Sequence, residues 1–171
     1  MQAVLLRCKP RSRFHFGLIA PDENTSLNTA GAWLPSDTLF SAIINVLAEI
    51  NPEGVAGILQ DFEQGKVLIS SGFYVLEYIE DERKVYFLPK PAHYGTAVSH
   101  DFKTYSRVKL ISKTVWEAGW LPDEWPEHCL WLQNGEVLAA KSDLPEAMTA
   151  EKARTIRLYE MEDYPRVKVH T

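Results

Sequence analysis

One stretch limits the fold more than any other. Between Ser36 and Ile50, the residues Leu39, Phe40, Ile43, Ile44, Val46, Leu47 and Ile50 recur at three-and-four spacing. That spacing predicts a helix with one apolar face, which must be laid on something. Ser36 stands where an N-cap is expected, its hydroxyl accepting from a first-turn N–H. Asp37 and Thr38 fill that turn, where a negative side chain suits the positive end of the helix dipole. Asn51-Pro52-Glu53-Gly54 then ends the helix, because proline cannot continue it and glycine suits a turn. Val55, Ile58, Leu59 and Phe62 predict a shorter helix over 55–64.

Most of the rest is β-rich and supplies the surface such helices need. Residues 2–17 read as a strand leading into a second extended piece, broken at Pro10. Residues 18–35 read as a loop, dense in Pro, Asp, Asn, Thr, Ser and Gly. KVLISSGFYVLEYI (66–79) and KVYFLPKP (84–91) pair most simply as a hairpin around a Glu80–Arg83 turn. RVKLISK (107–113), TIRLYEM (155–161) and PRVKVHT (165–171) are further strand candidates. CLWLQNGEVLAAK (129–141) places Asn134-Gly135 between two apolar runs, which predicts a type I′ hairpin. Residues 114–128 mix aromatics, prolines and acids, and predict a short helix followed by irregular surface. No internal repeat or low-complexity tract is present. The order strand, helix, hairpin, further strands predicts an α+β fold: a ferredoxin-like antiparallel sheet with packed helices and an extra hairpin region. That is the architecture of RNA-recognition modules, although a fold alone assigns no function.

Charge narrows the partners. A formal charge of −5 over 171 residues argues against a generally basic coat for nucleic acid. The charge is uneven, however. Residues 1–20 hold four bases and no acid, whereas residues 117–163 hold eleven acids against four bases. Cys8 and Cys129 stand far apart in no metal-ligand spacing, and read as reduced thiols of a cytoplasmic protein. No run is apolar enough to span a membrane, and charge with Pro10 comes too early for a signal peptide.

Alternation concentrates the positive charge on faces. If 7–15 is extended, Arg7, Lys9, Arg11, Arg13 and His15 share one face, with Cys8, Phe14 and Phe16 on the other. Arg166, Lys168 and His170 repeat the device opposite Val167 and Val169. Arg107 and Lys109 repeat it opposite Val108 and Leu110. Three cationic faces in an acidic protein predict a track for a polyanion; solvated strand faces would show the same alternation. Aromatic residues interleave with this charge, and Tyr94 and Tyr105, in polar surroundings, are the rings expected to be exposed for stacking on bases. Phosphate-binding glycine motifs, a nucleophile elbow and zinc spacings are all missing from the sequence, so no cofactor or metal is expected. His15 beside Arg13 is the best acid–base candidate if the chain were a metal-independent ribonuclease. Asp37 has no evident catalytic partner. Trp116, Trp120 and Trp125, in the acidic 114–128 segment, are candidate anchors for a protein partner.

Several pieces taken in order resemble one family. They are SRFHFG (12–17), LPSDTLFSAI (34–43), ISSGFYVL (69–76), YFLPKP (86–91), KTYSRVKLIS (103–112) and PRVKVHT (165–171). Together they are similar to the RAMP superfamily of type III CRISPR systems, most of all to the family of the fourth Csm subunit. The resemblance covers most of residues 1–112 and returns at 165–171. It implies a ferredoxin-like RAMP domain over 1–112. Residues 113–171 would be a partner-contacting insertion and the start of a second, incomplete half. The superfamily's glycine-rich loop has no counterpart here, and the RNA site would be partial, completed by a neighbouring chain. It further implies a non-catalytic subunit of the effector ribonucleoprotein, acting in antiviral defence. Such a subunit holds the repeat-derived 5′ tag of the CRISPR RNA and bridges the large polymerase-like subunit to the backbone RAMP subunit. Carried over by position, Arg11, Arg13, His15, Ser36, Lys90, Lys103, Tyr105, Arg107, Lys109, Arg166, Lys168 and His170 would line the RNA. Ser36 would do so through the N–H groups that open its helix.

Overall fold

The computed structural model describes residues 4–7, 12, 16, 31, 33–92 and 102–160. The chain divides into two compact units, Met1–Gly72 and Phe73–Thr171.

In the first unit, helix α1 spans Ser36–Ile50 and helix α2 spans Val55–Glu63, joined by a 3-10 turn at Pro52–Gly54. The periodicity is expressed as expected over Leu39, Phe40, Ile43, Ile44 and Leu47, all partly buried. Val46 and Ile50, read as part of the same face, are exposed. The two helices meet where Phe40 and Phe62 pack edge to face at 4.9 Å. The N-cap is Pro35, not Ser36, and Ser36 is the first helical residue. Its own N–H is satisfied from a distance, donating to Ser71 Oγ at 3.2 Å. The ISSG stretch is brought there by a bridge in which Gly72 N–H donates to Leu34 O at 2.8 Å. Gly72 permits that approach: a Cβ there would sit 3.3 Å from Leu34 Cβ, tighter than side chains normally tolerate. The strand expected over 66–79 is therefore much shorter than the apolar run.

The second unit is α+β, built on a five-stranded mixed sheet. Its strands are β1 (Val75–Tyr78), β2 (Arg83–Pro89), β3 (Leu110–Ser112), β4 (Cys129–Leu132) and β5 (Val137–Ala140). The order is β1-β2-β3-β5-β4, with β3 and β5 parallel and every other pair antiparallel. The expected β1–β2 hairpin is present in the register Val75↔Tyr86. Along β2, Val85 and Phe87 are buried while Lys84 and Tyr86 are exposed, the mark of a sheet wet on one face. In β3 and β5 every residue is buried, so alternation disappears at the centre, where both faces are covered. The division expected after residue 112 falls inside this sheet, because β3 lies before it and its parallel partner β5 after it.

Among its described residues the unit also has four short α-helices: α3 (Phe102–Arg107), α4 (Lys113–Ala118), α5 (Trp125–His128) and α6 (Ala150–Thr155). Gly119 closes α4 in the left-handed region, at φ 67°. One core cluster joins Val108, Ile111, Val115, Trp125, Cys129 and Leu138, with Tyr105, Trp120 and Trp131 packed against it.

The hairpin at Asn134-Gly135 forms, and its tip is the expected type I′ turn: Asn134 (φ 55°, ψ 26°) and Gly135 (φ 94°) take the two central positions, and the Glu136 N–H donates to Gln133 O at 3.2 Å. Leu132 pairs with Val137, which leaves a four-residue loop. The ladder stops one residue short of the turn on each side, and Gln133 itself takes positive φ, at 49°. The cause is tertiary. Gln133 leaves the ladder and turns its side chain inward, 7% exposed, to grip the segment after α6. Its Oε1 accepts the Leu158 N–H at 2.8 Å and the Tyr159 N–H at 3.4 Å. Its Nε2 donates to Tyr159 O at 3.1 Å, and its own N–H donates to Ile156 O at 3.0 Å. The strand expected over 155–161 is thus, in its described part, the last residue of α6 followed by a strap. Gln133, rather than a ladder, meets the Leu158 and Tyr159 N–H groups and the Ile156 and Tyr159 carbonyls.

Candidate nucleic-acid interface

Lys90 and residues 103–109 of the second unit bring several of the expected site residues together. The Lys90 N–H donates to Lys109 O at 2.9 Å, and Lys90 Nζ donates to Tyr105 O at 3.1 Å. Burial lowers the Lys90 ammonium below its ordinary pKa. Lys90 is thus a brace for the 105–109 turn, with one of its three donors already engaged. Lys103 and Arg107 are exposed on α3, and Arg107 sits in its last turn, where a cation suits the helix dipole. Val108 and Leu110 are buried and Arg107 and Lys109 exposed, as expected, but not as one strand: Arg107 ends α3 and the strand expected over 107–113 begins only at Leu110.

Lys109 does not stand alone. Its Nζ lies 3.2 Å from Glu136 Oε2, which also accepts the Tyr159 hydroxyl at 2.7 Å. The Tyr159 ring stacks on Tyr74 with centroids 5.2 Å apart and planes 21° apart. Two residues earlier in the strap, Arg157 Nη2 donates to Asn134 Oδ1 at 3.3 Å. Partial burial pushes the Glu136 carboxyl up. Hydrogen bonds from Tyr159 and Lys109, with the charges of Lys109 and Arg107, outweigh that and hold it below the ordinary value. Tyr159 is raised, first by burial and then by the Glu136 carboxylate. The second unit therefore presents a group of cations, Arg107 and Lys109, beside a carboxylate and a stacked tyrosine pair.

Glu136, Tyr159 and Tyr74 were not expected from the sequence. Glu136 and Tyr159 are 23 positions apart, and neither lies in a motif. The only local signal was the Asn134-Gly135 turn, which marks the loop without showing what it holds.

Other expectations change. Tyr105 is not an open stacking platform: its ring packs edge to face on Trp125 at 5.5 Å and belongs to the core cluster. Trp125 is fully buried, its Nε1 donating to Trp120 O at 2.9 Å, so it anchors this unit rather than a partner. An indole completes the core here because the N–H finds a carbonyl. Trp120 is partly buried and stacks on His128 at 4.6 Å. Of the three tryptophans only Trp116 is exposed, at 49%. In the first unit, Ser36 opens α1 with its N–H already committed to Ser71. Arg11, Arg13, His15, Tyr94, Arg166, Lys168 and His170 lie outside the described residues.

Among the described residues, no group of three or more His, Cys, Asp or Glu is placed to hold a metal ion, and no helix is long and apolar enough to cross a membrane. No protein-family model, curated protein or solved structure matches the chain.

Proposed function

We propose that the chain is a non-catalytic, RNA-binding subunit of a type III CRISPR effector ribonucleoprotein. It would hold the 5′ tag of the CRISPR RNA and bridge the large subunit to the RNA-binding backbone, as its resemblance to the fourth Csm subunit family implies. The observation that carries the reading is the exposed pair of cations Arg107 and Lys109, of which Lys109 is joined through Glu136 to the Tyr74–Tyr159 stack. Cations that follow a phosphate backbone and rings that take bases are the two parts a single-stranded RNA surface needs. Two of the resemblance stretches also meet in the first unit, where Leu34 bridges Gly72 and the Ser36 N–H finds Ser71. The α+β sheet is compatible with a ferredoxin-like RAMP module.

Binding of a labelled single-stranded RNA carrying a repeat-derived 5′ end tests this. Arg107→Ala and Lys109→Ala each weaken binding for every RNA sequence, and each flattens the salt dependence by about 0.7 in log–log slope. Affinity untouched in both variants would refute the RNA surface. A protein adaptor working through exposed Trp116 is the second reading, favoured by its 49% exposure. It stands alone if the chain enters a complex yet crosslinks to no RNA.

A further inference from the structure

The donors around Glu136 converge on a single oxygen. Oε2 receives the Tyr159 hydroxyl at 2.7 Å and the Lys109 ammonium at 3.2 Å. The Arg107 guanidinium lies close enough to help depress the carboxyl. An ammonium and a phenol aimed at one anionic oxygen, with a guanidinium charge nearby, are donors of the kind that a nucleic-acid phosphate takes. The Glu136 backbone is held in place from behind. Glu136 O accepts the N–H of Lys109 at 2.8 Å and of Leu110 at 3.3 Å, and Glu136 N–H donates to Gln133 O at 3.2 Å. In front it is open: the Lys109 and Glu136 side chains are 51% and 37% exposed. An exposed pair of this kind is weak and exchangeable.

We infer that Lys109 and Tyr159 form a phosphate-binding subsite for single-stranded nucleic acid that the chain fills with its own carboxylate, Glu136, when no ligand is bound. The inference rests on the RNA-binding reading above. An arriving phosphate takes over Lys109 and the Tyr159 hydroxyl and must displace, or sit beside, a like charge. Glu136 therefore lowers affinity for any polyanion. Only a strand that gains elsewhere, from bases on the rings or from other cations, overcomes it. This is selection by repulsion, suited to an acidic chain that must take one nucleic-acid end and refuse others.

The test is binding of a labelled oligouridylate of about ten nucleotides across a salt series. Glu136→Gln is the main variant, because its amide oxygen still accepts from Tyr159 while the charge is gone. Glu136→Ala is the second, and thermal melts of both confirm folding. Removal of the charge is expected to tighten binding about two- to fivefold, the range spanned by an exposed ion pair. It should also steepen the log–log salt slope by about 0.7, one further phosphate neutralised. The gain should vanish in Lys109→Ala/Glu136→Gln. Unchanged or weaker binding with an unchanged slope in both single variants would overturn the inference. If Lys109→Ala and Arg107→Ala weaken binding while neither Glu136 variant tightens it, the self-occupied subsite falls and the RNA surface stands. If no variant binds RNA, both fall.

Discussion

Gln133 is the most economical place to perturb the second unit, because one side chain ties the 133–136 loop to the strap after α6. Two of its side-chain hydrogen bonds have good geometry, Leu158 N–H to Oε1 at 2.8 Å and Nε2 to Tyr159 O at 3.1 Å. The third, from Tyr159 N–H at 3.4 Å, is long and counts for little. At about 1 kcal/mol net for each good bond, Gln133→Ala should cost about 2 kcal/mol. Leu158 and Tyr159 are only partly buried, so water can meet the abandoned groups and the full desolvation penalty does not apply. The backbone supplies a control. Gln133 sits at φ 49°, where a side chain costs about 1–2 kcal/mol that glycine avoids. Gln133→Gly loses the same bonds but recovers part of that strain, so it should be about 1 kcal/mol more stable than Gln133→Ala. Urea unfolding gives the two free energies, and hydrogen exchange at the Leu158 and Tyr159 amides reports the strap directly. An Ala variant within about 0.5 kcal/mol of the parent, or a Gly variant less stable than the Ala variant, would refute the reasoning.

Two further perturbations probe the core. Trp125→Ala should cost about 3–5 kcal/mol by urea unfolding, since the ring is fully buried, packs on Tyr105 and donates to Trp120 O. Trp116→Ala, at the surface, should stay within about 0.5 kcal/mol, and equal costs would contradict the burial difference. The Cys129 thiol is pushed up to about 12, chiefly by burial, with Lys141 opposing and Asp143 adding. It is therefore protonated in the folded chain when an unfolded thiol ionises, near pH 8.5. Its contribution to stability is whole below that pH and declines as pH rises above it. Peptide-resolved alkylation at about pH 8.5 should leave Cys129 nearly unmodified until urea is added. Rapid labelling of the native chain would show that the thiol is open.

The elements legible in the sequence are those decided by near neighbours. Three-and-four spacing and the Asn51-Pro52 stop give helices α1 and α2 almost to the residue. Turn residues between apolar runs give the β1–β2 and β4–β5 hairpins. The α+β class follows from those pieces alone.

The rest depended on partners far along the chain. Ser36 looks like a cap in isolation, yet its N–H is met by Ser71, 35 positions later. The Asn134-Gly135 turn forms as its residues predict, but the ladder stops short of it because Gln133 is taken up by residues 156–159. Trp125 looks like a surface anchor among acids and prolines, yet its ring fills the core because a carbonyl at Trp120 receives its N–H. Lys109, Glu136, Tyr159 and Tyr74 come from four separate segments and share no pattern that local sequence displays. Short-range spacing determines which elements can form. Which side of an element is buried, and which charges and rings become neighbours, was decided only when the sheet closed, because hydrogen bonds and burial are settled by whatever packs opposite.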